Sequence, residues 1–381
     1  MDSHKPYAPA TLAAQALGAV DPITKAIIPA IHPSTTYVRD EDNQYRNGRV
    51  YARPHNPTFE TAEELLTALE GGVASLSFAS GMAAATAVFL ACKPGDHILV
   101  PKVMYWSLRN WLMGAATEWG LRVELVDMTD LAAVKAAIQP GKTALIWVET
   151  PANPLWTISD LAGLAELAHG VGARLAVDST CATPILSRPL SFGADIVMHS
   201  ATKYLNGHSD VLAGMLTTGK QDDFWARVVA VRAQVGAVLG TFEAWLLQRG
   251  MRTLSIRVRE ACRTAQAVAE AFAEDSRVLE VMYPGLPTHT QHNLAATQMS
   301  GGFGGMLSIR LKAGEGAAIK AAARTQLWKR ATSLGGVESL IEHRSSVEGP
   351  TSPVPTDLLR LSVGIEDTGD LIADLKEAIG G

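Results

Sequence analysis

Between residues 73 and 198, short apolar runs alternate with stretches of helical periodicity, and this pattern restricts the fold more tightly than any other feature of the chain. Val73–Phe78, His97–Val100, Val123–Val126, Thr143–Val148, Ala173–Val177 and Ile196–Met198 read as strands. An alanine-rich stretch opened by Ala79-Ser80-Gly81-Met82 and running to Leu90, then Trp106–Trp119, Asp130–Ile138 and Asp160–His169, read as helices between them. Runs without polar alternation are buried on both faces, and strands that return through helices pair in parallel. An α/β fold is therefore expected, with a mostly parallel sheet covered by helices. Ligands of such sheets sit beyond the carboxyl ends of the strands, so the residues just after each run carry the functional information.

At 381 residues the chain exceeds one typical domain, and its texture changes after Phe242. Phe242–Ala273 is a long helical stretch carrying Arg249, Arg252, Arg257, Arg259 and Arg263. Strand-like Gly305–Arg310 and Leu359–Val363 follow, with a helix at Asp370–Ile379. A smaller α+β domain over 243–381 is expected beside an α/β domain over 51–242. Residues 1–50 are punctuated by proline, with one helix at Thr11–Leu17 and an extended piece at Ile27–Tyr37. A segment this long without its own core is expected to lie on a neighbouring subunit. Thr58 is expected to cap a helix over Phe59–Leu69.

Composition excludes several classes. A net charge of −5 provides no basic field for nucleic acid or an anionic membrane. No apolar run reaches the ~18 residues of a membrane span. The three cysteines, Cys92, Cys181 and Cys262, are too scattered for a zinc or disulfide pattern. A cytoplasmic protein is the consistent expectation, without nucleic-acid or membrane partners.

The strand ends hold an unusual set of groups. Lys203 follows Ile196–Met198 by five positions, beside Ser200 and Thr202; a surface lysine at a strand end is the other reading. An ammonium held near a buried strand resists desolvation, so its pKa falls and the free amine becomes usable. Ser80, Gly81 and Met82 open a helix after a strand, where N–H groups and the helix dipole favour an anion; an ordinary small-residue turn is the other reading. Asp178 ends a strand and serves either as an Asx-type cap on Ser179 and Thr180 or as a fixed anion. Asn153, between two prolines, is either a turn residue or a directed amide. Tyr105 offers an aromatic face or simple packing. Arg360, in a strand, suits a carboxylate or an interface ion pair. Together these groups match the needs of pyridoxal 5′-phosphate (PLP): a phosphate cradle, a pyridinium partner, a ring stack and a Schiff-base amine.

The motifs carry a resemblance that spans nearly the whole chain. Tyr51-Ala-Arg53 with Asn56-Pro-Thr58, Ala79-Ser-Gly-Met82, Glu149-Thr-Pro-Ala-Asn-Pro154 and Val177-Asp-Ser-Thr180 come first. His199-Ser-Ala-Thr-Lys-Tyr-Leu-Asn-Gly-His-Ser-Asp210, Ser333–Leu340 and Leu359–Asp367 follow in order. In these motifs the chain resembles the Cys/Met-metabolism PLP enzymes, which include cystathionine β-lyase, γ-lyase and γ-synthase and methionine γ-lyase. The resemblance implies the type I aminotransferase-like fold and a tetramer built of two catalytic dimers. It implies Lys203 as the Schiff-base residue, with Asp178 on the pyridine nitrogen and Tyr105 stacked on the ring. Asn153 would bond near the phenolic oxygen, and Ser80, Gly81, Met82, Thr180, Ser200 and Thr202 would complete the cofactor site. Tyr51 and Arg53 would reach the phosphate of a neighbouring subunit. Arg360 and the Ser333 loop would bind the substrate α-carboxylate.

The branches of the family divide at the residue before Ser333, typically Glu in the γ-branch and Tyr in the familiar bacterial β-lyase; here it is Thr332. His55 replaces a usual glycine, and Ile341-Glu-His-Arg344 adds charge near the presumed substrate mouth. Carbon–sulfur lysis of cystathionine-like substrates by β-elimination is the leading expectation. The alternatives are γ-elimination or γ-replacement on homoserine-type substrates, including methionine or canavanine, and a non-catalytic protein that retains the fold.

Overall fold

Two sheets organise the computed structural model, which describes residues 7–349 and 352–380. The first six residues of the expected arm lie outside them. The strands in chain order are β1 Ala74–Phe78, β2 His97–Pro101, β3 Arg122–Val126, β4 Thr143–Glu149, β5 Arg174–Asp178, β6 Ile196–His199 and β7 Gly214–Thr218. After them come β8 Val278–Met282, β9 Met306–Leu311, β10 Lys329–Arg330, β11 Leu340–His343 and β12 Leu358–Ser362. The larger sheet runs β1-β7-β6-β5-β4-β2-β3 and the smaller β10-β11-β12-β9-β8.

The strands from β2 to β6 pair in parallel, as the alternation requires, while β7 runs antiparallel to both β6 and β1. Sequence reasoning passed over β7 because Gly214-Met-Leu-Thr-Thr218 follows a turn-rich loop and has no helix before it. Gly214 has a packing reason to lack a side chain: a Cβ there would stand 2.1 Å from the Ser80 carbonyl oxygen. The helix Gly81–Leu90 is apolar on all sides and is buried between the sheet and the helix Asp223–Val235, a further element the sequence reading lacked.

Several boundaries differ from expectation for identifiable reasons. Asn56, not Thr58, caps the helix Pro57–Glu70, its side-chain oxygen accepting from Thr58 N at 2.9 Å with proline at the first helical position. Thr58 is used otherwise: its hydroxyl accepts from His32 N, while Asn56 Nδ2 donates to His32 O. This one cap therefore also ties down the arm. Within the arm, Pro9–Gln15 is helical and continues as a 3₁₀ turn, and Ile27–Tyr37 forms no strand beyond a bridge from Thr36 to Tyr51. Trp106–Trp111 continues through a π-helical turn at Leu112–Ala116.

The long helix expected from Phe242 to Ala273 is two helices, Thr241–Met251 and Leu254–Ala273. Arg257 braces the break. Its buried guanidinium donates to Gly250 O at 2.7 Å, a carbonyl that also accepts from Thr253 N at 3.1 Å, and to Tyr204 O at 2.8 Å. Burial lowers its pKa to about 10. The turn after Lys203 is thus clamped from behind. A Cβ on Gly207, at φ +73°, would meet that guanidinium at 1.9 Å.

The smaller sheet packs Leu307, Ile309, Leu359 and Leu361 against Val268, Phe272, Ala318 and Leu371 of three helices. The two sheets meet through the loop after β4: buried Trp156 Nε1 donates to Ser308 Oγ at 2.8 Å, which donates to Pro154 O at 2.7 Å. Asn56→Ala removes both the helix cap and the tie to His32. It should destabilise the protein by about 2 kcal/mol, near the upper range for a cap, read as a lowered thermal midpoint.

Candidate active site

Parallel register carries the strand ends to one level. Glu149 of β4 lies opposite Asp178 of β5, and Asp178 opposite Met198 of β6. Beyond these ends lies a cavity of about 160 Å³. Among the expected site residues, Ser80, Gly81, Met82, Tyr105, Asn153, Asp178, Thr180, Ser200, Thr202 and Lys203 line it. Residues far apart in sequence are thereby brought into one wall.

Ser80 caps the helix Gly81–Leu90, its Oγ accepting from Ala83 N at 3.0 Å. A Cβ on Gly81 would stand 2.6 Å from Ser200 Oγ, so only glycine lets the helix start approach the loop after β6. Thr180 locks the opposite wall. Its hydroxyl donates to Asp178 Oδ1 at 2.5 Å and accepts from Ser200 N at 2.8 Å. The Asx-type reading of Asp178 is therefore correct for Oδ1, which also accepts from Thr180 N. Burial raises the Asp178 pKa, with the Thr180 bonds and His199 opposing. Thr202 donates its hydroxyl hydrogen to Ala213 O and accepts from Ala213 N, which fastens the entry to β7.

Lys203 Nζ donates to Ser333 Oγ at 2.9 Å. Burial lowers the lysine's pKa, and the charge of Arg360 adds to that effect. Ser333 belongs to the loop between β10 and β11 and holds φ at +80°, a left-handed conformation that is uncommon for a residue with a side chain. Its carbonyl accepts from Arg360 Nη2 at 2.7 Å, and Arg360 Nη1 reaches Asn153 Oδ1 at 3.5 Å. Arg360 and Ser333 therefore stand behind the cavity wall, joined to it through Asn153 and Lys203.

Three expected residues stand away from the cavity. Tyr51 and Arg53 are exposed, stack as a cation–π pair at 5.6 Å and line a separate cleft with Phe59 and Leu239. Thr332 is exposed beside Ser333. His55 is exposed as well, with Nδ1 4.0 Å from Glu60. Arg344 is buried behind Arg360 instead of adding charge at the cavity mouth.

Sequence reasoning missed Glu149 as a functional residue. Its Oε2 accepts from Tyr105 N at 2.8 Å and its Oε1 from Asn153 N at 2.9 Å, so one buried acid holds both loops that face the cavity. Its place after an apolar strand was the available signal, the same one that singled out Asp178. Burial, and then the charge of Asp178, raise the Glu149 pKa from 4.5 to about 8.

The residues present fit PLP. A glycine-lined helix start backed by hydroxyls suits its phosphate, a buried carboxylate its ring nitrogen, and a desolvated amine its aldehyde. A larger cavity of about 450 Å³, between the arm and the helix Thr241–Met251, has no such set.

Without cofactor, the folded chain retains a proton at Glu149 that the unfolded chain releases above about pH 4.5. The stability from that proton is full below pH 4.5 and is lost as pH rises through about 8. Thermal melts of cofactor-free protein should show a midpoint falling from about pH 5 to 8, with a flatter slope for Glu149→Gln. An unchanged slope in that variant would assign the effect elsewhere.

The sequence model for the Cys/Met metabolism PLP-dependent enzymes matches residues 10–380. A cystathionine gamma-synthase of Mycobacterium tuberculosis is 45% identical over 98% of this chain and 97% of its own length. A cystathionine beta-lyase of Coxiella burnetii is 39% identical over 94% of each. The solved structure of cystathionine gamma synthase from Xanthomonas oryzae pv. oryzae, in complex with aminoacrylate and cysteine, superposes with a TM-score of 0.93 at 36% identity, covering 99% of this chain and 98% of that one. With the cavity, its lysine and its acid already in place, the chain belongs to the Cys/Met metabolism family of PLP-dependent enzymes.

Proposed function

We propose that the chain is a carbon–sulfur lyase acting on cystathionine-like amino acids by β-elimination, releasing a thiol, a keto acid and ammonia. The observation that carries this reading is the desolvated Lys203 amine, 2.9 Å from Ser333 Oγ and facing the same cavity as Asp178. PLP, when bound, supplies an electron sink that makes a substrate Cα–H acidic and lets a sulfur leaving group depart. Lys203 would anchor the cofactor and then, as a free amine, take the Cα proton; burial, which lowers its pKa, favours that free amine. Asp178 would hold the ring nitrogen protonated, and that nearby cation would in turn favour the aspartate's own charged form.

Tyr105 would stack on the ring and Asn153 would orient it near the phenolic oxygen. Ser80, Gly81, Met82, Ser200 and Thr202 would cradle the phosphate. Thr180 would act through Asp178, to which it already donates. Arg360, with Ser333 and neighbouring Thr332, would receive the substrate α-carboxylate.

The assembly belongs to the same reading: a cytoplasmic homotetramer of two catalytic dimers. Tyr51 and Arg53 would serve a neighbour's phosphate. Supporting this, both are exposed, and Ile23, Ile27 and Val38 of the arm expose 88%, 74% and 90% of their surface to solvent. A second reading is γ-replacement on homoserine-type substrates, favoured by the gamma-synthase name of the 45% identical relative. The aminoacrylate in the Xanthomonas complex favours the first, because β-elimination leaves that fragment.

The purified enzyme should be yellow. Lys203→Ala should lose the visible band of the lysine-bound cofactor and at least about 10³-fold in turnover. Pyruvate from cystathionine supports β-elimination and 2-oxobutyrate supports γ-elimination, while cystathionine formed from cysteine and a homoserine ester, with release of the acid, supports γ-replacement. A colourless wild type that stays so with added PLP would sink both.

A further inference from the structure

Behind the cavity the smaller sheet buries two arginines and two glutamates. Glu342 of β11 is the register partner of Arg360 on β12. Its Oε2 lies 2.6 Å from Arg360 Nη2 and 2.9 Å from Arg344 Nη1. Arg344 also donates through Nε and Nη2 to Glu348 Oε1 at 3.1 and 2.6 Å, and Ser352 Oγ donates to Glu348 Oε2. One carboxylate oxygen thus serves two guanidinium groups. Arg344 has a counter-ion of its own, whereas Arg360 has only a share of Glu342.

The remaining contacts of Arg360 are to neutral atoms at the cavity edge, Ser333 O and Asn153 Oδ1, and its buried Nε has no partner among the described residues. A guanidinium with a divided counter-ion and an unused donor still has affinity for an anion. An arginine alone with Glu342 would form a neutral pair, and an incoming carboxylate would compete with a fixed one held 2.6 Å away.

We infer that Arg344 is a positioning residue for substrate recognition: by dividing the charge of Glu342, it leaves Arg360 a positive charge for the α-carboxylate of an amino-acid substrate. The inference rests on Arg360 as the carboxylate-binding residue. Arg344 touches neither substrate nor cofactor in this scheme, and it acts through Glu342.

The test uses the PLP-loaded enzyme and two ligands without a leaving group, norleucine and pentylamine, which differ only in the α-carboxylate. Calorimetry gives the ratio of their dissociation constants. Arg344→Met/Glu348→Gln removes Arg344 together with its own counter-ion, so no buried charge is orphaned and folding is preserved. Norleucine should bind roughly tenfold more weakly, a loss of ~1.4 kcal/mol, with pentylamine unchanged. Adding Glu342→Gln should restore the norleucine preference. An unchanged ratio in the double variant overturns the inference, as does a loss that persists after Glu342→Gln, which would mark a purely structural role. Arg360→Ala separates the two levels: full preference for norleucine in that variant would overturn the assignment of Arg360 itself.

Discussion

In-register parallel pairing of β4, β5 and β6 is the constraint on which the site depends. Because Glu149, Asp178 and Met198 stand at one level, the loops that follow open into the same space. Two carboxyls meet there in low dielectric, and each is held by donors from a different loop. A slip of one residue in either pairing would turn these side chains to the opposite face of the sheet. Burial resists it, since every residue of β4 but Ala144 and every residue of β6 is buried.

The smaller sheet contributes a different kind of order. Antiparallel register sets Glu342 across from Arg360, and the turn after β11 returns Arg344 and Glu348 to the same pair. Burial lowers the Arg360 pKa to about 10, with Arg344 adding to the effect and Glu342 opposing it. For Arg344 the two carboxylates outweigh burial and raise the value. Arg360 remains protonated near neutrality, yet it is the less well compensated of the two cations.

Local patterns made much of this legible. Apolar runs located β1 to β6, and chemically improbable residues at their ends pointed to Lys203 and Asp178, which both line the cavity. The rest depended on partners distant in sequence. β7 has an ordinary composition and exists because β1 and β6 both need a neighbour. Asn56 outcompetes Thr58 as a cap because Pro57 takes the first helical position and Thr58 is needed by His32. The helix break at Arg252 and Thr253 is braced by Arg257, which reaches Tyr204 O, more than fifty residues back. Glu149 has only its place at the end of an apolar strand as a local signal, and Glu342 has none, since its partner Arg360 arrives from the neighbouring strand.

Ser333 joins the two halves of this architecture. Its hydroxyl accepts from Lys203, in the turn after β6, and its carbonyl accepts from Arg360 of β12, while its backbone is left-handed. The spacing between amine and guanidinium is therefore bridged by one residue of a loop, not by a strand of either sheet.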